Sequence, residues 1–122
     1  MSKICLVEDD QDLANLTKTA LVKNGHEVML FHEARKAFEG IRLHKPDLIL
    51  MDIMMPRMSG TEAVRILSKD PDLKNIPVIF LTALISEKDK DVEESGITID
   101  GVNYKTLGKP YEIEQLLKMI GN

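Results

Sequence analysis

The sequence predicts an α/β protein with a parallel sheet covered by helices on both faces. Three observations lead there: short apolar runs recur along the chain, helix-period segments separate them, and Gly, Pro, Asn and Asp mark the boundaries. At 122 residues there is room for one core, so the chain reads as a single domain, 1–122, without linker, repeat or low-complexity segment.

Ile4-Cys5-Leu6-Val7 is apolar throughout, as a strand covered on both faces must be. Leu13, Leu16, Ala20 and Leu21 follow at helical spacing, and Gly25 after Asn24 supplies a left-handed exit. Val28 to Phe31 is a second strand. Ala34, Ala37, Phe38 and Ile41 mark a second helix, which must end before Pro46 because the proline ring disfavours a helical residue ahead of it. Leu48-Ile49-Leu50-Met51 is the third strand, followed by a Met/Pro/Gly loop and a helix through Ala63, Val64 and Leu67. Pro77 to Leu81 is the fourth strand, and Ile113, Leu116, Leu117 and Ile120 define the last helix. Between these, Ser86 and Asp89 open a helical segment to Ser95 in which Val92 is the one apolar residue. Ile97-Thr98-Ile99 and Val102-Asn103-Tyr104 then flank Asp100-Gly101, the pattern of a short β-hairpin.

Sixteen basic against twenty acidic residues leave a net charge of −4, which argues against a broad nucleic-acid surface. No apolar run approaches the length of a membrane span and no signal-peptide core opens the chain, so a cytoplasmic protein without membrane contact is expected. Cys5, alone in an apolar run, reads as a buried small hydrophobe. His26, His32 and His44 lack ligand spacing and are expected at the surface.

In a sheet of this kind ligands bind at the carboxyl ends of the strands, so what ends each strand matters. The first run ends in Glu8-Asp9-Asp10, the third in Asp52 and the fourth in Thr82, while the last apolar stretch runs into Lys109-Pro110. Each polar group therefore lands on one rim. Singly, each has a plainer identity: an acidic run is usually a solvated helix start, a Thr a strand-end cap, and Lys-Pro a loop leading into a helix. Likewise, Met51, Met54, Met55 and Met58 suit loop and core packing far better than a thioether metal site. Together the rim groups are the right types for one reaction. Crowded carboxylates need a cation, and carboxylates with water suit a hard ion such as Mg²⁺. A carboxylate can act as a nucleophile toward phosphorus, with an ammonium and a hydroxyl steadying the phosphoryl oxygens.

Leu6-Val7-Glu8-Asp9-Asp10, the string from Asp47 to Gly60 around Asp52, Phe80-Leu81-Thr82-Ala83 and Lys109-Pro110 together resemble the response-regulator receiver family over nearly the whole chain. The resemblance implies a doubly wound, flavodoxin-like fold of five parallel strands in the order 2-1-3-4-5. It also implies a Mg²⁺-dependent phosphoacceptor at Asp52, with Glu8 and Asp9 as the acidic pair and the Met54 carbonyl in the metal shell. Thr82 and Lys109 would contact the phosphoryl group, with a cis bond before Pro110. The donor would be a phosphohistidine on a histidine kinase or phosphotransfer protein, and the output a downstream protein target that the sequence does not identify. In such receivers the residues two beyond the phosphoacceptor and two beyond the Thr orient the hydrolytic water; here they are Met54 and Leu84, both apolar.

Two departures stand out. The family places an aromatic three residues before the Lys, where this chain has Thr106, with Tyr104 two positions earlier. The stretch between Thr82 and Lys109 is also longer than the family pattern, which is why a hairpin near 97–104 is expected to replace the end of a fourth helix. Tyr104 is expected to pack on that hairpin rather than to serve as a switch.

Two rival functions remain. An aspartate-dependent phosphatase, of the haloacid-dehalogenase class, would use Asp10-Gln11-Asp12 with Thr82 and Lys109 as helpers, but would leave the Asp52 string without a role. A phosphorylation-independent interaction module would have no need of the intact set Glu8, Asp9, Asp52, Thr82 and Lys109. The expected protein is a regulator rather than an enzyme. It has no output domain within these residues, and is either a stand-alone shuttle or a receiver from a larger protein.

Overall fold

A computed structural model describes residues 2–83 and 96–121. In chain order the elements are β1 (Lys3–Val7), α1 (Gln11–Lys23), β2 (Glu27–Phe31), α2 (Ala34–His44), β3 (Leu48–Asp52), α3 (Gly60–Ser68), β4 (Val78–Thr82), β5 (Ile97–Ile99), β6 (Val102–Gly108) and α4 (Ile113–Ile120). The sheet runs β2-β1-β3-β4-β6-β5. Every pairing is parallel except β5 with β6.

The five parallel strands thus stand in the expected order, with β6 as the fifth. The hairpin at 97–104 is also present, pairing Ile97 with Tyr104 and Ile99 with Val102 about the Asp100-Gly101 turn. Its relation to the sheet differs from a separate insertion. β6 continues through Gly108 and pairs with β4, so the hairpin is the start of the fifth strand folded back on itself, and β5 becomes an antiparallel sixth strand at the edge. Asp100 and Gly101 have φ of 49° and 84°, the left-handed values that a two-residue hairpin of this hand requires. The helical segment expected from Ser86 to Ser95, and Leu84, lie outside the described residues.

Each apolar strand divides its residues between two cores, because successive side chains point to opposite faces. Cys5, Val7, Ile49, Met51 and Phe80 meet Ala37 and Ile41 of α2 and Val64 and Leu67 of α3. Ile4, Leu6, Leu50 and Leu81 meet Leu21 of α1 and Leu116 of α4 on the other side. Continuous hydrophobicity is therefore required of β1, β3 and β4.

Two sequence expectations fail here. Leu16 is 68% exposed, and α1 buries Ala14, Thr17 and Leu21 instead. A polar residue sits on the packed face, its hydroxyl satisfied by a residue of the segment between β6 and α4, and that shifts the stripe away from Leu16. His26 is buried rather than superficial: Nδ1 accepts the Ser2 N–H at 3.1 Å, as β1 begins beside the α1–β2 turn. His32 and His44 are exposed, as expected. Cys5 is fully buried, and that burial pushes its thiol up to about 12, where it stays protonated.

Candidate functional site

Parallel strands point their carboxyl ends to one rim, and every residue singled out from the strand ends lies there. Glu8 and Asp9 follow β1, Asp52 closes β3, Thr82 closes β4, and Lys109 follows β6. The carboxylates of Glu8, Asp9 and Asp52 offer ligand atoms within 4.8 Å of one another, the one such acidic group among the described residues. Glu8 and Asp52 are 1% and 2% exposed, whereas Asp9 faces solvent.

The Lys109 ammonium closes the cluster, touching Glu8 Oε1 and lying 3.2 Å from Asp52 Oδ1. Local structure fixes each partner. The Lys109 N–H donates to the Thr82 carbonyl at 2.7 Å, tying the end of β6 to β4 just ahead of the cis Lys109-Pro110 bond. The Asp10 N–H donates to Glu8 Oε2 at 3.1 Å, and Asp10 itself caps α1, accepting the Leu13 N–H at 3.0 Å. The Met54 N–H donates to Asp52 Oδ1 at 3.3 Å, while the Met54 side chain is 58% exposed beside it. His32, which the sequence did not link to the site, donates from Nδ1 to the Glu8 carbonyl at 3.0 Å. No ligand spacing announces that role, because the contact is to backbone.

Gly60 is a spatial requirement. A Cβ there would lie 2.2 Å from the Asp52 carbonyl oxygen, and the Gly60 N–H donates to the Ile53 carbonyl at 2.9 Å. The loop after β3 can close on the rim only with no side chain at that position.

One ammonium cannot neutralise three carboxylates, and the electrostatics record the strain. Burial first, then the neighbouring Glu8 and Asp9, push the Asp52 carboxyl up to about 8. Burial also acts against ionisation of Asp9, but hydrogen bonds with Asp52 and Glu8 outweigh it and hold Asp9 below its ordinary value. Lys109 lies above its ordinary value, as contacts with Glu8 and Asp52 overcome the desolvation of the ammonium. The cluster thus favours the protonated form of Asp52, and a bound cation would oppose that shift. Carboxylate oxygens open to water on the Asp9 side make up the donor set of a hard divalent ion. The residues fit Mg²⁺.

A groove of about 470 Å³ lies at the opposite rim, walled in part by Asp47, Lys74, Val102 and Met119. None of the converging acidic groups at the carboxyl rim lines it.

Residues 4–121 match the response regulator receiver domain family. The polar-differentiation response regulator DivK of Brucella anthropi is 31% identical over 120 residues, 98% of this chain and 96% of that protein. Protein PilH of Pseudomonas aeruginosa is 36% identical over 120 residues, covering 98% and 95% of the two chains. The uncharacterized transcriptional regulatory protein YrkP of Bacillus subtilis is 35% identical over 114 residues; the match covers 93% of this chain but 46% of that longer protein. Among solved structures, the chemotaxis response regulator CheY4 of Vibrio cholerae superposes with a TM-score of 0.82 at 27% identity, over 98% and 96% of the chains. The receiver domain of the Francisella response regulator 1452 gives 0.81 at 28%, over 98% and 93%.

Proposed function

Because this chain belongs to the response-regulator receiver family, we propose that it is a regulatory receiver that takes a phosphoryl group onto Asp52 from a phosphohistidine and thereby switches the binding of a protein target. The observation that carries this reading is the buried Asp52 carboxylate between an ammonium and two further carboxylates at the mouth of the sheet. Glu8, Asp9, Asp52 and the carbonyl of Met54 would hold Mg²⁺. Bound there, the ion would neutralise the carboxylates and the phosphoryl oxygens and bring Asp52 to its ionised, nucleophilic form.

An Asp52 carboxylate oxygen forms a bond to phosphorus as the bond to the donor's imidazole nitrogen breaks; the electron pair returns to that nitrogen, which takes up a proton. Lys109, held by its backbone to Thr82, supplies positive charge to the transferred group, and the Thr82 hydroxyl at the end of β4 donates to it. The donor is a histidine kinase or phosphotransfer protein, and the receiver spans residues 1–122.

The phosphatase alternative has less support. Asp10 is committed to capping α1, and both Asp10 and Asp12 are exposed, outside the converging cluster. Acetyl phosphate with Mg²⁺ should add a single phosphoryl group by intact-mass measurement. The Asp52→Asn protein, or wild type in excess chelator, should stay unlabelled; equal labelling of either would remove Asp52 and Mg²⁺ from the proposal.

A further inference from the structure

Thr17 is a polar residue on the packed face of α1, 2% exposed. Its Oγ shares a hydrogen bond of 2.8 Å with the hydroxyl of Tyr111, 94 positions along the chain. Both ends of this contact are bound to the rim. Tyr111 follows Lys109-Pro110 directly, so the segment carrying the ammonium is held at Lys109 by the Thr82 carbonyl and at Tyr111 by Thr17. On the other side, α1 starts at the Asp10 cap, whose N–H holds Glu8 Oε2. The other oxygen of Glu8 meets the Lys109 ammonium. The bond between the two hydroxyls thus links the helix whose cap residue holds Glu8 to the segment that delivers the cation. Apolar packing between α1 and α4 would need neither hydroxyl, and placing a Thr on the buried stripe costs desolvation that the Tyr111 contact offsets.

We propose that the Thr17–Tyr111 hydrogen bond is a positioning contact for Lys109: it holds the Lys109-Pro110 segment against α1, so that the ammonium stays between Glu8 and Asp52 and in reach of the incoming phosphoryl group. The inference rests on the proposed phosphoryl transfer to Asp52 and adds two residues that touch neither the metal nor the reacting atoms. Losing one buried hydrogen bond should loosen the ammonium, slowing transfer by roughly three- to tenfold.

The test is a double-mutant cycle on the full chain, following acetyl phosphate uptake in Mg²⁺ by intact mass. Tyr111→Phe and Thr17→Val should each slow uptake, the double variant should be no slower than either, and Thr17→Ser, which keeps the hydroxyl, should run near the wild-type rate. Tyr111→Phe removes a single oxygen and keeps the ring in the core, so the fold is retained. The Mg²⁺ dissociation constant from calorimetry should be unchanged throughout. Wild-type rates in both single variants, effects that multiply in the double, or weakened Mg²⁺ binding that accounts for the slowing would each overturn the contact's role. Wild-type protein that takes no phosphoryl group would instead overturn the reading of the site, and this inference with it.

Discussion

The rings of Phe80 and Tyr104 meet edge to face, centroids 5.8 Å apart and planes at 81°. Phe80 is on β4 and Tyr104 on the arm of β6 that pairs with β5, so this contact fastens the hairpin to the core beneath α3. Thr106, at the position where the family's aromatic would stand, is buried and in register with Phe80, with no ring to turn inward. Tyr104 is thus placed as packing. Tyr104→Ala should cost about 2 kcal/mol of stability, through lost area and the ring pair, and leave phosphoryl uptake at Asp52 near wild type. Denaturant unfolding and intact-mass labelling check the two halves. Loss of phosphorylation-dependent partner binding in a folded Tyr104→Ala protein would make Tyr104 a switch after all.

The protonation of Asp52 gives a pH signature. Its carboxyl is pushed up to about 8 in the folded chain, whereas an unfolded Asp titrates near about 3.9. Between those values the folded state holds a proton that the unfolded state releases, so metal-free protein should lose stability as pH rises through that window. Mg²⁺ needs the ionised carboxylate, so stabilisation by the ion should grow over the same range. Melting temperatures of wild type and Asp52→Asn, compared with chelator and with Mg²⁺ from about pH 5 to about pH 8, read both effects. A chelated wild type with the same pH slope as Asp52→Asn would remove the proton from Asp52.

Strand-end chemistry was the legible part of this sequence. Glu8, Asp52 and Thr82 each end an apolar run, and parallel strands force those ends to one rim, so their convergence could be read before any contact was known. Asp100-Gly101 announced the hairpin through the φ values it must adopt. What could not be read were polar groups satisfied across the fold. Thr17 carries no mark of burial in the sequence until Tyr111 is placed against it, and the stripe it joins leaves Leu16 exposed where a packed residue was expected. His26 looks superficial until the Ser2 N–H reaches its ring. His32 contributes to the site through the Glu8 carbonyl, which leaves no mark on side-chain spacing. Nor does periodicity say whether a hairpin inserts beside a strand or continues into it; the parallel register of Ile79 with Lys105 through Thr82 with Gly108 settles that.

Gly60 should be intolerant of even one added carbon. Its Cβ would sit 2.2 Å from the Asp52 carbonyl oxygen, a backbone atom that cannot turn aside. Gly60→Ala should therefore push the loop after β3 outward, costing about 2 kcal/mol or more and weakening Mg²⁺ binding by displacing Asp52. Gly25→Ala is the control. Its φ of 90° strains any side chain, but a Cβ there meets nothing within 4 Å. It should cost about 1 kcal/mol and leave Mg²⁺ affinity alone. Equal unfolding midpoints and equal Mg²⁺ titrations for the two variants would mean the close approach has no bearing on the site.

Loss of the phosphoryl group should be slow, and Met54 is the reason within reach of measurement. Its side chain is 58% exposed beside Asp52, and its own N–H reaches Asp52 Oδ1 at 3.3 Å. A water approaching the phosphorylated carboxyl in line would pass a thioether, which neither orients it nor accepts its proton as an amide or carboxylate would. Met54→Asn should speed dephosphorylation by about threefold or more, while the backbone hydrogen bond that holds Asp52 is kept. Leu84→Glu, at the matching position after Thr82 but outside the described residues, should add to the effect. Decay of the labelled protein after removal of acetyl phosphate, followed by intact mass with Mg²⁺ held constant, gives the rates. Uptake rates measured in parallel separate faster hydrolysis from weaker loading. Label that persists as long or longer on Met54→Asn would show that access of water to Asp52 is governed elsewhere.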